Sequence, residues 1–186
     1  IINNVVIVYN YMNLLIIPYR DRSEHLKYFI NELAPLLKKN LDNVKIVIVE
    51  QSDDKQRFNR GKILNVGFKE YENTGINFIF THDVDTIPSE EIIVNTYKNE
   101  SKDILRIYNG HDYSLGGITK FKSEIFKKIN GFPNHIWGWG TEDEALFTRA
   151  KLNNIELSNK SIYNVGDKNF KKLNHTSGPA NQCEKI

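Results

Sequence analysis

Three apolar runs separated by two helix-like segments limit this chain more than any other feature of its 186 residues. "NLLIIPYR" reads as a buried strand, "VKIVIVEQ" as a second strand and "INFIFTHD" as a third. Between the first two, "SEHLKYFINELAPLLKK" places Leu26, Phe29, Ile30, Leu33, Leu36 and Leu37 on one face at helical spacing, with Ser23 as candidate N-cap and Pro35 as a kink. "GKILNVGFKEY" is a second helix. This β-α-β-α-β order predicts an α/β fold with a central, mostly parallel sheet flanked by helices. Ligands in such sheets bind beyond the carboxyl ends of the strands. Those ends carry Tyr19, Arg20 and Arg22, then Glu50 and Gln51, then Asp83 and Asp85.

The second half is less regular. "SEEIIVNTYKN" predicts a helix, "DILRIY" a strand, "KSEIFKKI" a short helix stopped by "NGFP", and "TEDEALFTRAKL" a further helix opened by Thr141. With no repeat and no low-complexity linker, residues 1–186 read as one domain. A formal net charge of +2 excludes a basic field of the kind that gathers nucleic acid. The single cysteine, Cys183, cannot form an internal disulfide. The uncharged opening "IINNVVIVYNYMNLLIIPY" is almost long enough to span a bilayer, but its four asparagines and β-branched bias predict two strands with a polar break, and no membrane segment.

Three stretches carry chemistry. "THDVDTIP" sets Asp83 and Asp85 either side of Val84, and alternate residues of a strand end point the same way. Two carboxylates there suit a hard divalent ion that shares its coordination with a substrate's phosphates, although the pattern alone also fits a solvated turn. Arg20, Arg22 and Arg60 sit at strand-to-helix junctions, where bidentate contacts suit a diphosphate and surface salt bridges are the ordinary alternative. Phe58 suits a stacking wall or the core. In "WGWGTEDEALF", Trp137 and Trp139 alternate with Gly138 and Gly140: either a sugar-facing hinge or two indoles sealing the core. Thr141 and Glu144 also match a capping box, which does not require Glu142 or Asp143. The histidines at 25, 82, 111, 135 and 175 read by default as surface residues.

Taken together, "IIPYRDRSEHLKYF", "FNRGKILNVGFKE", "HDVDTIP", "GGITKFKSEIFKKINGFPN" and "WGWGTEDEALFTR" resemble the β-1,4-galactosyltransferase family, in family order and with similar spacing, over roughly residues 14–150. The resemblance implies a GT-A type nucleotide-binding sandwich that transfers galactose or a relative from a UDP-sugar to a carbohydrate acceptor, with inversion, assisted by Mn²⁺ (or Mg²⁺). It implies that Pro18, Tyr19, Arg20 and Arg22 hold the nucleotide, with Phe58 and Arg60 as its second wall. Asp83, Val84, Gly117 and Glu142 face the UDP-sugar. Asp85 is the implied metal ligand and Asp143 the implied catalytic base. Trp139 belongs to a loop that closes over the donor, while Tyr113, Gly140 and Glu144 join it on the acceptor side.

His175 matches the family's late histidine metal ligand, in a mobile metal and acceptor loop over residues 166–186. Two departures stand out. Some members carry a methionine ligand three residues before that histidine, where this chain has Lys172, and others a second histidine two residues before, where it has Leu173. Eukaryotic members are Golgi-anchored and carry disulfides. Neither feature is visible in this sequence, which points to a cytoplasmic form. Two rival readings are a UDP-GalNAc-dependent transferase of the chondroitin-synthesis type and a catalytically weak module that binds UDP-sugar or glycan.

Overall fold

The computed structural model describes residues 12–53, 55–99, 102–158 and 160–174, with the backbone of Gln182 and Cys183. The predicted first strand and His175 lie outside these residues. β1 (Met12–Tyr19) leads into α1 (Ser23–Tyr28), a π-helical turn (Phe29–Leu33) and α2 (Ala34–Asn40), then β2 (Val44–Glu50), α3 (Arg60–Tyr71), β3 (Ile76–His82) and β4 (Thr86–Pro88). The second half holds α4 (Glu90–Ile92), a second π-helical turn (Ile93–Tyr97), β5 (Ile104–Asn109), β6 (Ile118–Lys122), α5 (Ser123–Lys128), β7 (Ile136–Trp137), α6 (Glu142–Leu152), β8 (Tyr163–Asn164), β9 (Phe170–Lys172) and β10 (Gln182–Cys183).

The main sheet runs β2-β1-β3-β6-β5-β8. β1 pairs in parallel with β2 and β3, and β5 with β8, while β6 is antiparallel to both neighbours. Five strands therefore share one direction, as the alternation predicts. β1 shows why its sequence is apolar from Leu14 to Pro18. Leu15 and Ile17 enter the core formed with α1, α2 and β4, whereas Leu14 and Ile16 enter the core formed with α3, α5 and α6. Alternate side chains face opposite sides, so both faces must be apolar.

The single predicted helix over residues 23–39 is divided by its π-helical turn. Pro35 lies in the first turn of α2, where a missing N–H costs least. The widened turn shifts the phase of the apolar stripe, and Ile30, predicted inward, is 48% exposed. Ser23 is not the cap: Arg22 precedes the helix, with no side-chain capping bond. No helix among the described residues is long and apolar enough to cross a membrane.

Two features gather the site at one edge. β6 runs against the others, so its entry, Gly116–Gly117, lies beside the exits of β3 and β5, with Ile118 opposite both His82 and Tyr108. The small β4–β9 ladder sets Thr86 opposite Lys172, bringing a distant segment to the Asp83–Asp85 turn.

Candidate active site

β3 ends at His82, and the chain then turns back through Asp83, Val84 and Asp85, with Thr86 N donating to Asp83 O at 3.3 Å. This is a turn rather than a strand end, so the two carboxylates do not share a direction. Asp83 Oδ1 accepts from Arg60 Nε at 3.0 Å. Asp85, 2% exposed, accepts instead from Arg22 Nη1 at 3.0 Å and Lys172 Nζ at 2.5 Å. Val84 between them is buried in the core. His82, expected at the surface, is fully buried against Phe29 and Tyr97. Its Nδ1–H donates to Asp83 O at 2.9 Å, and burial lowers its pKa to about 4.

Arg60 is the hub. Asn59 caps α3 by accepting from Lys62 N at 2.9 Å, and its own N–H donates to Gln51 Oε1 at 2.8 Å. Sequence reading missed this cap, although an asparagine directly before a helical pattern is its usual sign. A Cβ on Gly61 would lie 2.9 Å from the Phe132 Cβ and 3.1 Å from Pro133 O, so only glycine lets the start of α3 pack this closely on that loop. Arg60 thereby lies 3.8 Å from Glu142 Oε1 and 5.8 Å over the Phe132 ring, and Nη2 donates to Gly117 O at 3.5 Å. Burial works against its charge, but Asp83, Glu142 and Asp143 together hold its pKa above the ordinary value. Asp83 is held below the usual carboxylate range, since Arg60 and Lys172 outweigh its burial. Glu142 moves the other way: burial raises it, Asp143 and Asp83 add to the rise, and Arg60 offsets part of it.

The three acids at the start of α6 take different positions. Glu142 is buried beside Arg60. Asp143 is half-buried: Oδ1 accepts from Glu144 N at 2.9 Å, while Oδ2 faces Gly116 so closely that a Cβ there would overlap it. Leu115 N donates to Asp143 O at 3.1 Å, which ties α6 to the Gly pair. The predicted capping box does not form. Thr141 has φ +68° and makes no side-chain capping bond. Gly138 at +100° and Gly140 at +95° share this left-handed backbone, and a β-branched residue among them stores strain. Trp139, 65% exposed, does not seal the core. Trp137 is half-buried, with Lys62 Nζ 5.5 Å from its ring.

Arg20 lies 5.5 Å over the Phe58 ring and donates from Nη1 to Gln56 O at 2.9 Å, forming one wall with Phe58 beyond the end of β1. Pro18 is buried and Tyr19 half-buried at that end. Tyr113 is 56% exposed and stacks on His111 at 5.6 Å, whereas Ser114 is buried and bonded to Asn109. Near the sheet edge, then, lie a half-buried carboxylate at position 143, a ring of cations (Arg22, Arg60, Lys172) and exposed aromatic faces. Such a set can bind an anion, stack a sugar and accept a proton.

Residues 8–99 match the family model described as the N-terminal region of glycosyl transferase group 7, and residues 101–176 the one described as the N-terminal domain of galactosyltransferase. The chain is 38% identical over 152 residues to beta-1,4-galactosyltransferase 4 of Cricetulus griseus, an alignment covering 77% of this chain and 44% of that one. It thus spans less than half the length of that relative. Among solved structures it is similar to the catalytic domain of Drosophila beta-1,4-galactosyltransferase 7 in complex with xylobiose, at 28% identity and TM-score 0.74 over 89% of this chain and 71% of that one. A mutant of that enzyme, solved with manganese, UDP-Gal and xylobiose, matches at 27% identity, TM-score 0.74 and the same coverage.

Proposed function

The chain belongs to the β-1,4-galactosyltransferase family of glycosyl transferase group 7, and from that premise we propose that it transfers galactose from UDP-galactose to a sugar hydroxyl, with inversion and a β-1,4 linkage. The observation that carries this reading is the seating of Asp143 against Gly116, at the edge where Arg60, Asp83 and Glu142 also meet. The Drosophila relative solved with UDP-Gal and a disaccharide supports a nucleotide-sugar donor and a carbohydrate acceptor.

The reaction is a single in-line displacement. Asp143 removes the acceptor hydroxyl proton as that oxygen bonds to the anomeric carbon. The bond from that carbon to the diphosphate breaks, and UDP leaves with its electron pair. Arg22 and Lys172 stand near the leaving group with Asp85 between them, and their positive charge favours its departure. Arg20 and Phe58 flank the nucleotide. Trp139, between two glycines, closes over the sugar and excludes water, which limits hydrolysis of the donor. Tyr113 and Glu144 face the acceptor side. Residues 1–186 act as one domain in this reading.

Manganese is expected at Asp85 and His175. Asp85 offers hard oxygen ligands, but Arg22 and Lys172 already engage both of its oxygens, so the described residues do not fit a divalent ion as they stand. No step above passes through one. The resemblance also implies a size-gating side chain just before the Gly pair; Ser114 is buried, so we assign that gate to Tyr113 as well, and UDP-galactose should be used in preference to UDP-GalNAc. The test is incubation with radiolabelled UDP-galactose or UDP-GalNAc, with and without sugar acceptors, in Mn²⁺ or in EDTA. Acceptor-dependent transfer of galactose is the expected result. Transfer of GalNAc alone would favour the chondroitin-type reading, and binding without turnover would make the chain a sugar-nucleotide-binding module.

A further inference from the structure

Asp85 is the carboxylate that the family resemblance gives to a metal, yet two of this chain's own cations hold it. Arg22 Nη1 donates to Oδ2 at 3.0 Å and Lys172 Nζ to Oδ1 at 2.5 Å. Thr86 closes a triangle: its hydroxyl accepts from Lys172 Nζ at 2.9 Å and donates to Asp85 Oδ1 at 3.2 Å. The lysine is anchored here by backbone. Thr86 and Lys172 are directly opposed in the β4–β9 ladder, and Leu173 N donates to Asp85 O at 2.8 Å. The carboxylate is 4% exposed and the lysine side chain 41%, so the ammonium lies between a buried acid and the open face of the site.

The charge balance explains what such a lysine does. Asp85 with Arg22 and Lys172 carries one net positive charge, so the carboxylate is already balanced without a divalent ion. A metal reaching coordination distance of Oδ1, about 2.1 Å for a small divalent ion, would compete with the ammonium for the same lone pairs. A lysine is itself a common phosphate ligand, acting as a point charge. The neighbouring carboxylate cannot readily compensate, because Asp83 is committed to Arg60 at 3.0 Å.

We propose that Lys172 is the resident cation of this site: its ammonium takes the place of a divalent ion at Asp85 and presents positive charge to the diphosphate of the donor, so that the chain binds a nucleoside diphosphate without metal. The identity of the anion rests on the function proposed above. The competition between Lys172 and a divalent ion does not.

The test is Mn²⁺ binding, followed by the electron paramagnetic resonance signal of the free ion, on the wild-type chain, Lys172→Met and Lys172→Arg. The methionine variant should bind Mn²⁺ at least tenfold more tightly than wild type, while the arginine variant, which keeps the charge, should resemble wild type. Calorimetry with UDP should give a wild-type affinity unchanged by EDTA. For Lys172→Met without metal it should fall about tenfold and be restored by Mn²⁺. Thermal melts establish that each variant is folded, and Lys172→Gln carries the same comparison if methionine disturbs β9. Equal Mn²⁺ affinity in wild type and the neutral variants, or loss of wild-type UDP binding in EDTA, overturns the proposal. Failure of every form to bind UDP would instead remove the proposed donor, and the Mn²⁺ titrations would still decide the role of Lys172.

Discussion

Asp143 rests against Gly116 with no room for a side chain between them: a Cβ built on the glycine would overlap Oδ2 of the carboxylate. Gly116 does not have the positive φ of Gly117, so its backbone accepts alanine and the conflict is with Asp143 alone. Gly116→Ala should therefore displace Asp143, the proposed base, without unfolding the chain, lowering kcat by about 10²-fold, the scale of general-base catalysis. UDP affinity should be nearly unchanged. Gly110→Ala, whose Cβ would meet Val165 at 3.4 Å, is the matched control and should keep most of the activity. Steady-state kinetics with a melting curve for each variant check both.

The three acids of α6 separate by substitution. Asp143→Asn keeps the shape and the bond from Glu144 N but cannot take the acceptor's proton, so kcat should fall by about 10²-fold or more with UDP affinity retained. Glu144→Gln should act mainly on the acceptor KM. Because the capping box is absent, its effect on stability should stay within about 0.5 kcal/mol, the scale of an ordinary surface change. A near-normal Asp143→Asn beside an inactive Glu142→Gln or Glu144→Gln would transfer the role of base to another of these acids.

Arg60→Met should destabilise the fold. It removes the partner of Asp83 and Glu142 together and leaves the buried Glu142 carboxylate without its nearest cation. Removing one member of a buried pair costs roughly 3–5 kcal/mol, and since Asp83 keeps 28% of its side chain in water, about 2–4 kcal/mol is the expected loss here. Urea midpoints should show part of that loss recovered in the Arg60→Met/Glu142→Gln double variant. No recovery would mean that Arg60 stabilises the fold through Phe132 packing rather than charge.

His82 makes stability depend on pH. Its folded pKa of about 4 lies below the ordinary 6.5, so its contribution is complete above pH 6.5 and is lost as the pH falls toward 4. At about 1.4 kcal/mol per unit, the full loss is roughly 3 kcal/mol. His82→Asn offers an amide N–H to Asp83 O and does not titrate here, so it should flatten the stability profile between pH 6.5 and 4.5 relative to wild type. Parallel profiles for the two proteins would show that folded His82 takes up its proton as readily as the unfolded chain does, and would remove the depressed pKa.

What the sequence determined by itself was local and periodic. The apolar run of β1 required a buried strand, and the alternation of apolar runs with helical patterns required parallel crossovers, because hydrophobic period and strand length depend only on neighbouring residues. The order of the motifs carried the resemblance and, with it, the candidate roles proposed for Asp83, Asp85, Trp139 and Asp143. What only the tertiary structure decided were contacts between distant segments. Lys172 meets Asp85 from 87 positions away because β9 pairs with β4, and no local pattern specifies that pairing. Arg60 joins Asp83 to Glu142 across three separate elements, and His82 is buried because Phe29 and Tyr97 cover it from separate helical segments. The left-handed turn at Thr141 defeated the capping box for the same reason: the close fit of Asp143 to Gly116 fixes how the chain enters α6, and a four-residue pattern carries no record of that constraint.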